Sequence, residues 1–148
     1  MTDVRGIDLT DDAVASRVVA LQRAAYRIEA DLIGFDGIPP LHEDVAAVRA
    51  LELSWLGCWD DDRLIGLIAW SEADGVRDID RVAVDPDQTG RGYGRSLVAA
   101  LMDHRTVTVS TGTANAPARS LYESMGFRVI GTDEIAPGVT VTRYCRAT

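Results

Sequence analysis

The chain contains no lysine: all 15 basic side chains are arginine, and 23 acidic residues outweigh them to a net charge of −8 over 148 residues. Without Lys, a P-loop has no ammonium to reach a phosphate, and Schiff-base or pyridoxal chemistry has no amine. Cysteine is scarce as well. Cys58 and Cys145 are widely spaced in apolar company, which suits free buried thiols better than a disulfide. The two histidines, His42 and His104, lack metal-ligand spacing and read as surface residues at helix ends, so no metal is expected. Asp60-Asp61-Asp62 lacks the calcium-loop pattern and reads as a solvated turn. No apolar run nears the ~20 residues of a membrane helix, and Met1 to Arg5 show no apolar leader. The negative balance disfavours nucleic acid and steers small cations weakly at physiological salt. A cytoplasmic protein is expected, and the Arg, Ala and Asp usage hints at a GC-rich bacterial genome.

What is present suits one domain over residues 1–148, with 47% hydrophobic and 26% charged residues. Residues 3–9 suit a first strand. Thr10-Asp11-Asp12 opens a helix whose stripe Val14, Val18, Leu21, Ala25, Ile28 and Leu32 alternates spacings of four and three. Gly34 to Pro40 breaks it, and a shorter helix is expected from about His42 to Leu51. Trp55 to Trp59 and Leu64 to Trp70 read as a hairpin, and Asp78 to Val84 as the next strand. Trp55, Trp59 and Trp70 are read as core or sheet-face residues. Ser96 to His104 suits a helix, Thr106 to Ser110 a strand, Pro117 to Met125 a helix, and two strands follow around Ala136-Pro137-Gly138. The order is β-αα-βββ-α-β-α-ββ, a mixed α/β (α+β) domain with a mostly antiparallel sheet flanked by helices.

One segment departs from this pattern. In Thr89-Gly90-Arg91-Gly92-Tyr93-Gly94-Arg95-Ser96, alternating glycines let the backbone take positive φ and approach a ligand closely. The N–H groups of the next helix, with Arg91 and Arg95, suit a phosphate-bearing ligand. A dinucleotide fingerprint fails in both registers, because its last position falls on Arg95 or Leu97. A tight strand-to-helix turn with no ligand is the plain alternative.

The segment resembles the acetyl-CoA loop of the GNAT N-acetyltransferases, [Gln/Arg]-x-x-Gly-x-[Gly/Ala], with Gly92 and Gly94 at both glycine positions and Thr89 in place of Gln or Arg. Downstream, Asn115-x-x-Ala118-x-x-x-Tyr122-x-x-x-Gly126-Phe127 is similar to the family's second cofactor segment. The resemblance covers about residues 55–146. It implies direct acetyl transfer from acetyl-CoA to an amine, without an acyl-enzyme; with the net charge of −8, the expected acceptor is the primary amine of a small cationic molecule. Val82, Ala83 and Val84 map onto the backbone contacts to pantetheine and thioester. Thr89 to Ser96, Asn115 and Ala118 map onto the rest of the cofactor site. Tyr122 occupies the position of the acid that protonates the leaving thiolate; by itself it would read as a core aromatic. Asp78 stands where family members carry a carboxylate, and Asp80, two residues on, or water are equal alternatives for the base. An amine near pKa 10.4 must be deprotonated, at a cost of ~4.6 kcal/mol at pH 7. Tyr26, Glu29, Phe35 and His42 fall where the family shapes its acceptor site, and each alone reads as core or surface. A non-catalytic acyl-CoA sensor, or transfer to peptide N-termini, stays open, as does a homodimer.

Overall fold

Asp11 opens the longest helix. Its carboxylate accepts the N–H groups of Ala13 and Val14 at 2.9 and 3.1 Å, two donors that a helix start leaves unpaired. Gly34, left-handed at φ 68°, closes it. The structure, a computed structural model, describes residues 2–103 and 106–147, so His104 lies outside the described residues. Its elements run β1 (Thr2–Gly6), α1 (Asp12–Ile33), α2 (Val45–Ala50), β2 (Ser54–Asp60), β3 (Arg63–Ala73), β4 (Val76–Val84), α3 (Tyr93–Ala99), β5 (Thr106–Gly112), α4 (Ala116–Ser124), β6 (Arg128–Ala136) and β7 (Val139–Ala147). The order is the expected one. No helix among the described residues is long and apolar enough to cross a membrane.

Three boundaries move, each for a local reason. The Asp44 carboxylate caps α2 through the Ala47 N–H at 2.8 Å, while Pro39–Leu41 forms a separate 3-10 turn ending at His42. The helix expected from His42 to Leu51 is therefore Val45–Ala50. Gly92, left-handed at φ 85°, makes Tyr93 the first residue of α3. After Ala99 the chain tightens into turns, with Leu101 and Met102 bonding back to Val98 and Ala99, so the helix expected over Ser96 to His104 starts and stops earlier. The first strand is likewise shorter than residues 3–9.

Seven strands form one sheet in the order β1-β2-β3-β4-β5-β7-β6. Every pairing is antiparallel except β4 with β5, which α3 crosses over to connect. That parallel pairing is short: Val76–Ile79 meet Thr106–Val109 and then the strands part. Beyond it, β4 keeps only β3, and β5 keeps only β7. A bulge sits at the parting, since Ala69 pairs with Arg81 and Trp70 with Ile79, leaving Asp80 as the extra residue. The bulge breaks the period of two assumed for Asp78 and Asp80.

The two sheet faces carry separate cores. Leu97, Val98, Tyr122, Phe127 and Tyr144 pack with Ile79 and Val107 on one side. Val18, Leu21, Val48 and Trp59 pack with Leu67 and Ala83 on the other. The stripe of α1 is buried at Val18 and Leu21, but Ile28 and Leu32 remain 47% and 45% exposed, because the helix runs past the sheet's solid part and over the parting. Cys58 is buried, Cys145 half-buried, and both are free.

Asp85 locks the end of β4. Its carboxylate accepts the N–H of Asp87 at 3.0 Å and ion-pairs with Arg17 of α1 at 2.9 Å and Arg63 of β3 at 3.1 Å. The Asp87 N–H, then the two guanidinium groups, lower its pKa against the opposing effect of burial. A carboxyl with a depressed folded-state pKa stabilises the fold above its unfolded pKa and loses that contribution as pH falls through the folded value. Urea midpoints measured between about pH 5 and 2 should therefore fall less steeply for Asp85→Asn than for the unaltered protein.

Candidate functional site

Where β4 and β5 part, the sheet opens into a cleft of about 1030 Å³. Strand ends supply Ile79, Val82, Val84, Val109 and Thr111, and α1 lies across the opening with Tyr26, Glu29 and Ile33. These three recur at spacings of three and four, one face of a helix. The glycine loop and α4 close the other end.

The face of α1 is tied to both parted strands. The N–H of Val82 on β4 donates to the Tyr26 hydroxyl at 3.0 Å. On β5 and beyond, Glu29 Oε1 accepts from Thr111 Oγ1 at 2.9 Å, the Gly112 N–H at 3.2 Å and Asn115 Nδ2 at 3.2 Å. Ile33 lies so close to Gly112 that a Cβ there would meet its Cγ2. Glycine is required at this contact, because a side chain would push the helix away. Glu29 Oε2 takes no hydrogen bond among the described residues.

Arg81, almost wholly buried, braces the same region beside α1. It donates to Glu43, to Gln22 Oε1 at 3.2 Å and to Asp80 Oδ2 at 2.7 Å. Burial opposes its charge, but the bonds to Glu43 and Asp80 prevail and raise its pKa. Burial likewise acts against the Glu43 carboxylate, and the bonds from Arg81 and Gln22 overcome it to hold the pKa low.

Tyr122 projects from α4 and is only 5% exposed. Phe127 meets its ring edge-on at 5.6 Å and Tyr144 lies at 6.0 Å. These contacts fix the ring, while the hydroxyl takes no hydrogen bond among the described residues. Burial, then the nearby Glu29 charge, pushes the phenol well above the usual value of 10. Tyr26 is raised by the same two causes and by Tyr122, against the Val82 N–H and Arg81. Both phenols keep their protons at neutral pH.

The expected site residues divide. Val82, Val84, Thr89, Gly90, Gly92, Tyr93, Gly94, Arg95, Asn115, Ala118 and Tyr122 all line the cleft. Asp78, Ala83, Arg91 and Ser96 do not. Asp78 is exposed on β4 and accepts from Thr108 Oγ1 at 2.6 Å. Ala83 faces the opposite core, and the Ser96 hydroxyl turns back to the Gly92 carbonyl at 3.0 Å. Arg95 donates to Ser124 Oγ at 2.6 Å, and Asn115 also caps α4 through the Ala118 N–H at 3.2 Å. Asp80 lines the cleft with its carboxylate on Arg81. His42 meets the Asp36 carbonyl at 2.6 Å. Tyr26 and Glu29, which alone read as core or surface, are brought to the centre. Their spacing with Ile33 was the available signal.

A ligand with a polar chain and phosphates is tested by the loop's own geometry. Gly90 and Gly92 have φ of 78° and 85°, and nothing lies within 4 Å of where a Cβ would stand on either. The backbone is thus open on its outer side, and no side chain caps the first N–H groups of α3. The residues present fit such a group.

A family model described as the acetyltransferase (GNAT) family matches residues 18–127. The chain is 35% identical over 135 residues to the UPF0157 protein YqkA of Bacillus subtilis, covering 88% of this chain and 39% of that protein. The chain thus spans about two-fifths of that relative's length. The ribosomal-protein-S18-alanine N-acetyltransferase from Escherichia coli superposes with a TM-score of 0.78 at 18% identity, over 99% of this chain and 94% of that one. The PaiA N-acetyltransferase from Thermoplasma acidophilum, solved in complex with coenzyme A, superposes at 0.72 and 16% identity over 97% and 98%.

Replacing Tyr26 by Phe removes the acceptor of the Val82 N–H. Hydrogen exchange should show that amide exchanging faster while the Ile79 amide is unchanged, with a stability loss of about 1 kcal/mol.

Proposed function

The chain belongs to the acetyltransferase (GNAT) family, and we propose that it transfers acetyl from acetyl-CoA to a primary amine in the cleft between β4 and β5. The observation that carries this reading is the parting itself, which brings a β4 N–H, a proton-bearing phenol and an open glycine loop to one cavity. The match over residues 18–127 and the coenzyme A complex of a fold neighbour support it. Acetyl-CoA supplies an activated thioester. Gly90 to Gly94 would hold its phosphates through backbone N–H groups, with Thr89 and Arg95 beside them. Ala118 and Val84 line the passage for the pantetheine arm.

The Val82 N–H donates to a side-chain hydroxyl, a partner that can be exchanged. It is the donor we assign to the thioester oxygen, whose negative charge grows as the amine attacks. The nitrogen bonds the acyl carbon, the carbon–sulfur bond breaks, and the sulfur takes the Tyr122 proton. A phenol raised by burial remains a usable acid here, because the thiolate forms in the same desolvated cleft and is destabilised by the same cause. The amine's own proton leaves through water. Asp78 lies outside the cleft lining, and Asp80 is engaged by Arg81, so water is the route the geometry favours among the three. With an acidic chain and no membrane-crossing helix among the described residues, we place this activity in the cytoplasm of a bacterium.

Two variants test the assignment. Tyr122→Phe should keep its coenzyme A dissociation constant, measured by calorimetry, and lose about a hundredfold in kcat. Gly92→Val, strained at φ 85°, should weaken that binding at least tenfold and lower the thermal midpoint by several degrees. No detectable coenzyme A affinity in the unaltered protein would end the reading.

A further inference from the structure

From the wall of the cleft opposite the glycine loop, we infer the class of acceptor: a monocationic primary amine attached directly to an apolar body, not a polyamine. The inference rests on the acetyl-transfer reading for the site and concerns only the half of the cavity that the cofactor loop does not build.

Two observations carry it. The first is charge. The charged residues lining the cleft are Glu29, Asp80, Arg81 and Arg95. Arg81 is shared between Asp80, at 2.7 Å, and Glu43, which lies outside the lining, and Arg95 lies on Ser124. Among the described residues, Glu29 is left as the one lining carboxylate without a cationic partner. Three donors fix its Oε1, so Oε2 is aimed and free to receive an N–H. One unpaired anion suits one ammonium.

The second observation is the surface around that carboxylate. Ile28 and Leu32 stand one helical turn apart on α1, on either side of Glu29, and are 47% and 45% exposed. Ile38 comes from the segment after α1, and Ile135 from β6, 43% exposed. Four branched apolar side chains from three parts of the chain line the one cavity, a placement that core packing does not require. An acceptor amine held on Glu29 therefore lays its nearest carbons on this wall. A second ammonium a few bonds away would be desolvated there without a partner, a cost that counts against polyamines. The same chemistry is offered by a free amine such as leucinamide or phenethylamine, and by a peptide whose first residue is leucine.

The test compares kcat/KM for leucinamide, phenethylamine, a leucine-initiated tetrapeptide and spermidine, with equilibrium binding of leucinamide to the coenzyme A complex measured alongside. The expected result is at least a tenfold preference for the apolar amines over spermidine. The tetrapeptide separates a free amine from a peptide terminus as the source. Glu29→Gln should weaken leucinamide binding about tenfold or more and leave the acetyl-CoA KM in place. Leu32→Glu should shift the preference toward spermidine. Spermidine acetylated in preference to leucinamide would overturn the inference and leave acetyl transfer standing. Glu29-dependent leucinamide binding without turnover would do the reverse. Leucinamide binding unchanged in Glu29→Gln would also overturn it.

Discussion

The parallel contact between β4 and β5 ends after four residues, and the site depends on that early ending. A sheet that stayed zipped would pair the β4 N–H groups with β5 carbonyls and leave no space between them. The bulge at Asp80 gives a local cause. It adds a residue to β4 against β3, which increases the twist and re-aims the strand just where β5 turns toward β7. The parting is then held open by side chains. Tyr122 enters from α4 on one face, and Tyr26 enters from α1 on the other.

The helix α1 spans the opening as a brace. Its first half is anchored by apolar packing on β3 and β4, and its second half by polar contacts to the separated strand ends. The Val82 N–H and the Gly112 N–H, one on each strand, both donate to this helix. Backbone groups that a continuous sheet would have paired are thus satisfied by side chains, as buried polar groups must be. The exchange matters for chemistry, because a side-chain hydroxyl can yield its place to a ligand oxygen and a strand cannot.

Charge is distributed with equal economy of means. The surface is acidic overall, yet the two strongly engaged arginine centres lie at the ends of the site. Arg81 gathers Glu43, Gln22 and Asp80 behind the bulge, and Arg17 with Arg63 pins Asp85 at the start of the glycine loop. Arginine suits both places, since its planar fork serves several acceptors at once and keeps its charge when buried. The lysine-free composition therefore costs the scaffold nothing at these points. Among the described residues, Glu29 is the carboxylate of the cleft lining that has no cationic partner.

Much of this was legible in the residues. Alternation, capping signals and turn glycines are local physics, so the order of elements and the left-handed glycines of the loop followed from neighbours in the chain. The paired segments around Gly92 and Tyr122 carried the family resemblance for the same reason, since each is a short contiguous pattern. The helix starts at Val45 and Tyr93 differ from the expected ones by a few residues because a capping Asp44 and a left-handed Gly92 outweighed the apolar pattern. Asp78 and Asp80 could not be told apart by alternation once a bulge broke it. The family and the fold could be read from the chain alone, because short contiguous patterns carry both. That Tyr26, Glu29, Ile28 and Leu32 line one cleft came from the tertiary arrangement alone. Tyr26 meets its partner 56 residues away and Glu29 meets its partners 82 to 86 residues away, and contacts so distant leave no local pattern in the chain.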